Sequence, residues 1–188
     1  MTRDSTSATS LSASFGSRRW FWLVCFMLVA GLLGYAYYAQ FQLYLDPCPL
    51  CITQRAFYAG IGIAAIIGFS SIGRRSLQIL AAGLMSVAAL GGMLTASRQV
   101  WLQHLPPEEV PECGPGLQYW LDNMPLLETI SLLFKGDGNC AEVHWRFLGF
   151  SMGEWSLAWF VVFFLAALLV LVKAIANSGV AGEPTIVQ

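Results

Sequence analysis

Charge is what this chain has least of. Only 11% of its 188 residues are charged, against 56% hydrophobic. Residues 20–45, 56–73, 76–97 and 155–172 carry no charged side chain at all. An ordinary soluble fold is excluded, because each run is at or near the ~20 residues that cross a ~30 Å hydrocarbon layer. Histidine is nearly missing too: His104 and His144 are the only two, too few for a haem or copper centre. No nucleotide-binding pattern is present. The formal net charge of −1 says little about partners; no nucleic-acid partner is expected.

What is there is four apolar runs, which predict an all-α membrane protein: a four-helix transmembrane bundle. The expected spans are about Trp20–Leu45, Cys51–Ile72, Ser76–Ser97 and Trp155–Val172, within a membrane domain of residues 18–173. Residues 1–17, rich in Ser, Thr and Ala, read as a disordered tail, and residues 174–188 as a short polar one. The first run is too long for a typical signal-peptide core and no convincing small-residue cleavage site follows it, so it is expected to stay as a span. Small residues at four-residue spacing, Ala56, Gly60, Ala64 and Gly68 in the second span and Ala88, Gly92 and Ala96 in the third, suit close helix packing in lipid. Trp20, Trp22, Trp101, Trp155 and Trp159 fall at span ends, as interfacial aromatics do.

Basic residues set the orientation. Arg18, Arg19, Arg74, Arg75 and Lys173 all fall on one side of an even number of spans. The opposite side holds two loops, about 46–50 and 98–154, the second rich in Asp and Glu. Both termini are therefore expected in the cytoplasm and both loops outside it. Within the long loop, Leu126, Leu127, Ile130, Leu133 and Phe134 share one helical face behind Pro125. This predicts a short amphipathic helix lying on the bilayer.

Five cysteines are present. Cys25, inside the first span, reads as an inert small hydrophobe. The other four all lie on the loop side: Cys48 and Cys51 as a Cys-x-x-Cys, Cys113 and Cys140 in the long loop with 26 residues between them. Both pairs could be inert staples, which is the default for the loop pair alone. A Cys-x-x-Cys closes almost no chain, though, and so makes a poor staple. Zinc sites favour two such knuckles, and here there is one. Haem attachment needs a histidine directly after the motif, where Ile52 stands. Redox exchange remains. Cys51 opens a helix, whose dipole favours a thiolate, and Arg55 lies one turn along on the same face, about 6 Å down the axis. Arg55 could equally snorkel to headgroups. A dithiol must pass its electrons on, and the lipid phase offers a membrane quinone, whose carbonyl Arg55 could engage.

The run Cys48-Pro49-Leu50-Cys51 with Arg55 four residues on, the loop cysteines Cys113 and Cys140, and the segments Gly138-Asn139-Cys140-Ala141-Glu142 and Trp145-Arg146-Phe147-Leu148-Gly149 resemble the disulfide bond formation protein B (DsbB) family across about residues 18–173. The resemblance implies a quinone-dependent thiol oxidase of the bacterial inner membrane that reoxidises a periplasmic DsbA-type partner. It implies that Cys113 pairs with Cys140 and takes the partner, that Cys140 then attacks Cys48, and that Cys51 faces ubiquinone or menaquinone beside Arg55. It also makes His104 a candidate for the quinone or its proton path. No metal is expected. Vitamin K epoxide reductase relatives are a second enzyme reading, but their Cys-x-x-Cys comes late in the bundle. A membrane scaffold with disulfide-stapled loops is the non-catalytic alternative.

Overall fold

A computed structural model describes residues 5–71, 73–114, 117–143 and 145–179. Among the described residues, four helices are long and apolar enough to cross a membrane: α1 (Ser5–Gln42), α2 (Pro49–Ser70), α3 (Arg75–Gln103) and, after the long loop, α6 (Met152–Gly179). The loop itself folds into α4 (Leu117–Asn123), α5 (Leu126–Lys135), two 3-10 turns at Pro107–Glu109 and Gly138–Cys140, and a hairpin of β1 (Arg146–Phe147) and β2 (Phe150–Ser151). The chain is a multi-pass helical membrane protein.

Helix α3 is the hub, packing against α2 on one side and α6 on the other, while α1 lies on α2. Lipid tails are as apolar as Leu, so burial alone does not hold such helices together; close packing does. The small-residue stripes supply it in two ways. Gly60 meets the Ala88 methyl group at ordinary contact distance, 3.4 Å from where a Cβ would stand. Gly92 instead makes a notch for an aromatic ring: a Cβ there would lie 2.2 Å from Phe160, which is fully buried and stacked on Tyr58 at 4.2 Å. Gly68 makes a similar notch for Trp22.

Trp22 therefore departs from the interfacial role expected of it. Trp20 and Trp101 are exposed, but Trp22 is 1% exposed. Its indole N–H donates to Gln78 Oε1 at 2.9 Å, and Gln78 Nε2 donates to the Gly68 carbonyl at 2.5 Å. A buried indole with its donor satisfied is stable in an apolar core. At this same end the Arg75 guanidinium donates to the Ala174 carbonyl, which brings the α2–α3 turn and the last turns of α6 together.

Several boundaries differ from the sequence expectation. Helix α1 extends back to Ser5, through residues expected to be disordered; once a helix is nucleated, each added Ser or Ala costs little. Its far end stops at Gln42, ahead of Asp46 and Pro47. Helix α3 outruns its apolar stretch by six residues, ending at Gln103 rather than Ser97, so the long loop begins at His104. Arg98 is accommodated by lying over the Trp101 ring, 4.3 Å from its centroid, and Pro106 and Pro107 stop the helix soon after. Helix α6 starts at Met152, not Trp155, behind a reciprocal cap: the Ser151 N–H donates to Glu154 Oε2 at 2.6 Å and the Glu154 N–H to Ser151 Oγ at 3.3 Å. At its other end α6 runs on to Gly179, into the expected tail; residues 180–188 lie outside the described residues.

The amphipathic segment forms where expected, as α5. Phe134 meets Phe57 of α2, ring centroids 6.3 Å apart, while Leu126 and Leu127 are left exposed. Its buried residue is Thr129, whose hydroxyl donates to the Trp120 carbonyl of α4 at 3.2 Å.

Candidate functional site

Helix α2 begins where it does because Pro49 fits the first helical turn and Cys48 caps it from an extended conformation. The Cys48 sulfur accepts the Cys51 backbone N–H at 3.4 Å. This puts the two sulfurs 3.1 Å apart, with the Cys48 thiol donating to Cys51. Cys51 also accepts a hydrogen bond from Gln99 Nε2 of α3 at 3.3 Å. The amide is aimed: Gln54 Nε2 donates to Gln99 Oε1 at 2.7 Å, and Gly153 of α6 leaves room behind the side chain, 3.1 Å from where a Cβ would be. Two donors thus converge on the Cys51 sulfur, an arrangement that suits a thiolate.

The loop returns to this pair. Gly136 has φ +72°, and a Cβ there would stand 2.8 Å from Leu50, so only glycine lets the backbone pass close enough to α2. The 3-10 turn that follows buries Cys140 completely, against Cys48, Leu50 and Leu102. Cys48 and Cys140 are hydrogen-bonded; that contact first, then the Cys51 contact and burial, push the Cys48 thiol well above the usual thiol range. Cys48 is accordingly poorly suited to attack as a thiolate and well placed to be attacked as part of a disulfide. Cys113 is exposed and lies beside Gly138, where a Cβ would be 3.0 Å from its sulfur. The structure brings all four cysteines to one end of the bundle, in the order Cys113 outside, Cys140 and Cys48 buried, Cys51 facing inward.

Arg55 shares a cavity wall with Cys51 but points its donors at α1. Its Nη1 donates to Gln40 Oε1 at 2.5 Å and its Nη2 to the Ala36 carbonyl at 3.2 Å, with the Tyr37 ring centroid 5.1 Å from the guanidinium carbon. The cavity, about 290 Å³, is walled by Leu32, Tyr35, Cys51, Arg55, Trp145 and Trp155, among others. A smaller hollow of about 70 Å³ lies on its loop side, with Asp46, Cys48, Gln103 and Glu142 among its walls. The hairpin covers this region: Trp145 lies 5.8 Å from Tyr35 and 6.0 Å from Phe147, and the Trp155 indole donates to the Phe147 carbonyl at 3.1 Å.

His104 is not brought to the group. It is exposed just past α3, with Nδ1 2.8 Å from the Val100 carbonyl, and borders neither hollow. Gln40, Gln54, Gln99 and Trp145 were not anticipated. For the three glutamines a signal existed, since an uncharged amide in or beside a transmembrane run needs a partner.

Four spans with a buried dithiol at one mouth and a second cysteine pair folded over it define a membrane thiol–disulfide exchange protein. A family model, Disulfide bond formation protein DsbB, matches residues 18–170. Relatives bearing the name Disulfide bond formation protein B include one from Methylococcus capsulatus, 46% identical over 149 residues, covering 77% of this chain and 88% of the relative. Another, from Hahella chejuensis, is 40% identical over 147 residues (78% and 89%), and one from Marinobacter nauticus is 39% identical over 156 (82% and 92%). The chain belongs to the DsbB family, and its activity is that of a disulfide oxidoreductase in disulfide bond formation.

Proposed function

We propose that this protein oxidises a periplasmic DsbA-type dithiol oxidase and passes the electrons to a membrane quinone. The observation that carries the reading is buried Cys140 against Cys48, with Cys51 beside it on the wall of an apolar, aromatic cavity and an exposed Cys113 beside the turn that holds Cys140. A soluble partner meets an exposed sulfur; a lipid-borne oxidant meets a cavity among spans.

The exchange balances as follows. A partner thiolate attacks the Cys113 sulfur of a Cys113–Cys140 disulfide, forming a mixed disulfide and releasing Cys140 as a thiolate. The partner's second thiol loses its proton, closes the partner disulfide and releases Cys113. Cys140 attacks Cys48 in the Cys48–Cys51 disulfide, releasing Cys51, and Cys113 then closes on Cys140 to free Cys48. Two electrons have moved from the partner to the inner pair, with the protons balanced by solvent. Gln99 steadies the released Cys51 thiolate with an amide N–H already in place, so little reorganisation is needed.

The cavity fits a quinone ring: it is walled mostly by aromatic and aliphatic groups, with the Arg55 guanidinium, the Cys51 thiol and the Gln54 amide among them. Tyr35, Trp145 and Trp155 would hold the ring and Arg55 would face its polar edge. When bound, the quinone supplies a two-electron oxidant strong enough for a partner that is itself a strong oxidant. Gln40 and Ala36 fix the guanidinium, and the hairpin limits water.

The charge pattern supports a bacterial inner-membrane setting with both termini cytoplasmic and the cysteine end periplasmic. Arg74, Arg75 and Lys173 cluster at the end away from the cysteines, where Arg75 meets Ala174. The test is quinol formation by purified protein supplied with reduced partner and ubiquinone or menaquinone. Arg55→Met should lower turnover at subsaturating quinone by about a hundredfold, the scale for losing one positioned donor, and harm assembly less than it harms quinone use. An unaltered apparent quinone affinity would count against the contact.

A further inference from the structure

Asp137 has no part in the exchange just described, yet it is 5% exposed and touches both loop-cysteine segments. Its backbone carbonyl accepts the Cys140 N–H at 3.0 Å. Its Oδ2 accepts the N–H of Gly114, the residue after Cys113, at 3.2 Å, and Asn139 Nδ2 at 3.1 Å. Its Oδ1 is buried without a hydrogen-bond partner. A half-satisfied buried carboxylate is costly and rare enough to need a reason.

The surroundings are fitted to this one side chain. A Cβ on Gly114 would come within 2.9 Å of Asp137 Oδ2 and 2.7 Å of the Trp120 ring. A Cβ on Gly138 would come within 2.5 Å of the Pro111 carbonyl and 3.0 Å of the Cys113 sulfur. The Gly138 N–H donates to the Glu112 carbonyl at 3.3 Å. The 111–114 segment is thus laid against the 137–140 turn with no room to spare, and the carboxylate is the only side chain that hydrogen-bonds across the seam among the described residues. Without it, one long peptide hydrogen bond, Gly138 to Glu112, would hold two segments separated in sequence by α4 and α5.

We infer that Asp137 is a positioning residue of the loop cysteines: its carboxylate clasps the Cys113 segment to the Cys140 turn and sets how readily that disulfide closes. This rests on the reading that Cys113 and Cys140 form a redox pair. Pair closure depends on the effective concentration of one sulfur at the other. Removing a hydrogen bond to a charged acceptor should lower it by about tenfold.

The test is the thiol–disulfide equilibrium of the purified full chain in glutathione buffers, resolved by alkylation and peptide mass spectrometry. Cys113 and Cys140 give up two electrons and two protons to glutathione disulfide, which becomes two glutathione thiols. Asp137→Ala should shift the Cys113–Cys140 equilibrium about tenfold toward the dithiol and leave the Cys48–Cys51 equilibrium in place. Asp137→Asn keeps an acceptor for the Gly114 N–H and should stay near the wild type. An unshifted Asp137→Ala overturns the clasp. So does Asp137→Asn behaving like Asp137→Ala, since charge rather than positioning would then matter, or an equal shift at Cys48–Cys51, since the damage would be global. Neither quinone nor partner enters this equilibrium, so failure of the proposed electron route leaves it readable. A wild-type chain in which Cys113 and Cys140 never pair at any glutathione ratio would instead remove the redox-pair reading, and the clasp with it.

Discussion

Cys51→Ser should abolish quinone-linked oxidation of the partner, a loss of roughly a thousandfold or more, as when a covalent participant is removed from a site that acts as a unit. The serine hydroxyl fills much the same space and can still accept from Gln99, so the bundle has no reason to unfold. It cannot form a disulfide with Cys48 or serve as a sulfur donor. The measurement is quinol appearance under anaerobic conditions with reduced partner in excess. Retained turnover would remove Cys51 from the route.

Cys140→Ser should separate the two halves of the reaction. Partner oxidation is expected to fall by about a hundredfold or more, since the buried sulfur that links the exposed Cys113 to Cys48 is gone. A small dithiol that reaches the inner pair directly should still drive quinol formation at close to the wild-type rate. The contrast between the two electron sources, measured on one preparation, is the observable. Equal activity with both would make the loop pair a staple rather than a carrier. Equal loss with both would mean that Cys140 packing against Leu50 and Leu102 supports the α2 mouth structurally.

The spans were legible because lipid imposes one simple demand, long apolar runs, and the chain meets it four times. The α5 helix was legible for the same reason at shorter range, a sided apolar pattern behind a proline. The ends were harder. Helix α3 continues six residues past its apolar run, because Arg98 finds Trp101 and the Lys135 carbonyl, contacts that lie outside any local pattern. The Ser151–Glu154 cap, by contrast, is a Ser-x-x-Glu in the sequence and marks the α6 start directly.

At the site, the cysteines announce themselves by spacing and Arg55 by its cost in a lipid-facing run. The supporting amides do not. Gln99 lies 45 residues from Gln54 and 48 from Cys51, and only the α2–α3 packing brings them together. The direction of Arg55 was equally hidden: four-residue spacing puts it one turn below Cys51, while its hydrogen bonds go to Gln40 and Ala36 on another helix. His104 shows the converse. Being near the right span end did not turn it toward the cavity, because α3 had not yet ended where the apolar run did.

The proposed route has electrons leaving through Cys51 into the cavity it borders. The most direct measurement is an anaerobic titration of fully reduced protein with a soluble quinone analogue, counting quinol formed while alkylation and mass spectrometry report each cysteine. One quinol should appear for each Cys48–Cys51 dithiol lost in a chain carrying both Cys113→Ser and Cys140→Ser. Quinol formed while Cys48 and Cys51 both remain alkylatable, or no quinol at all from that chain, would contradict it.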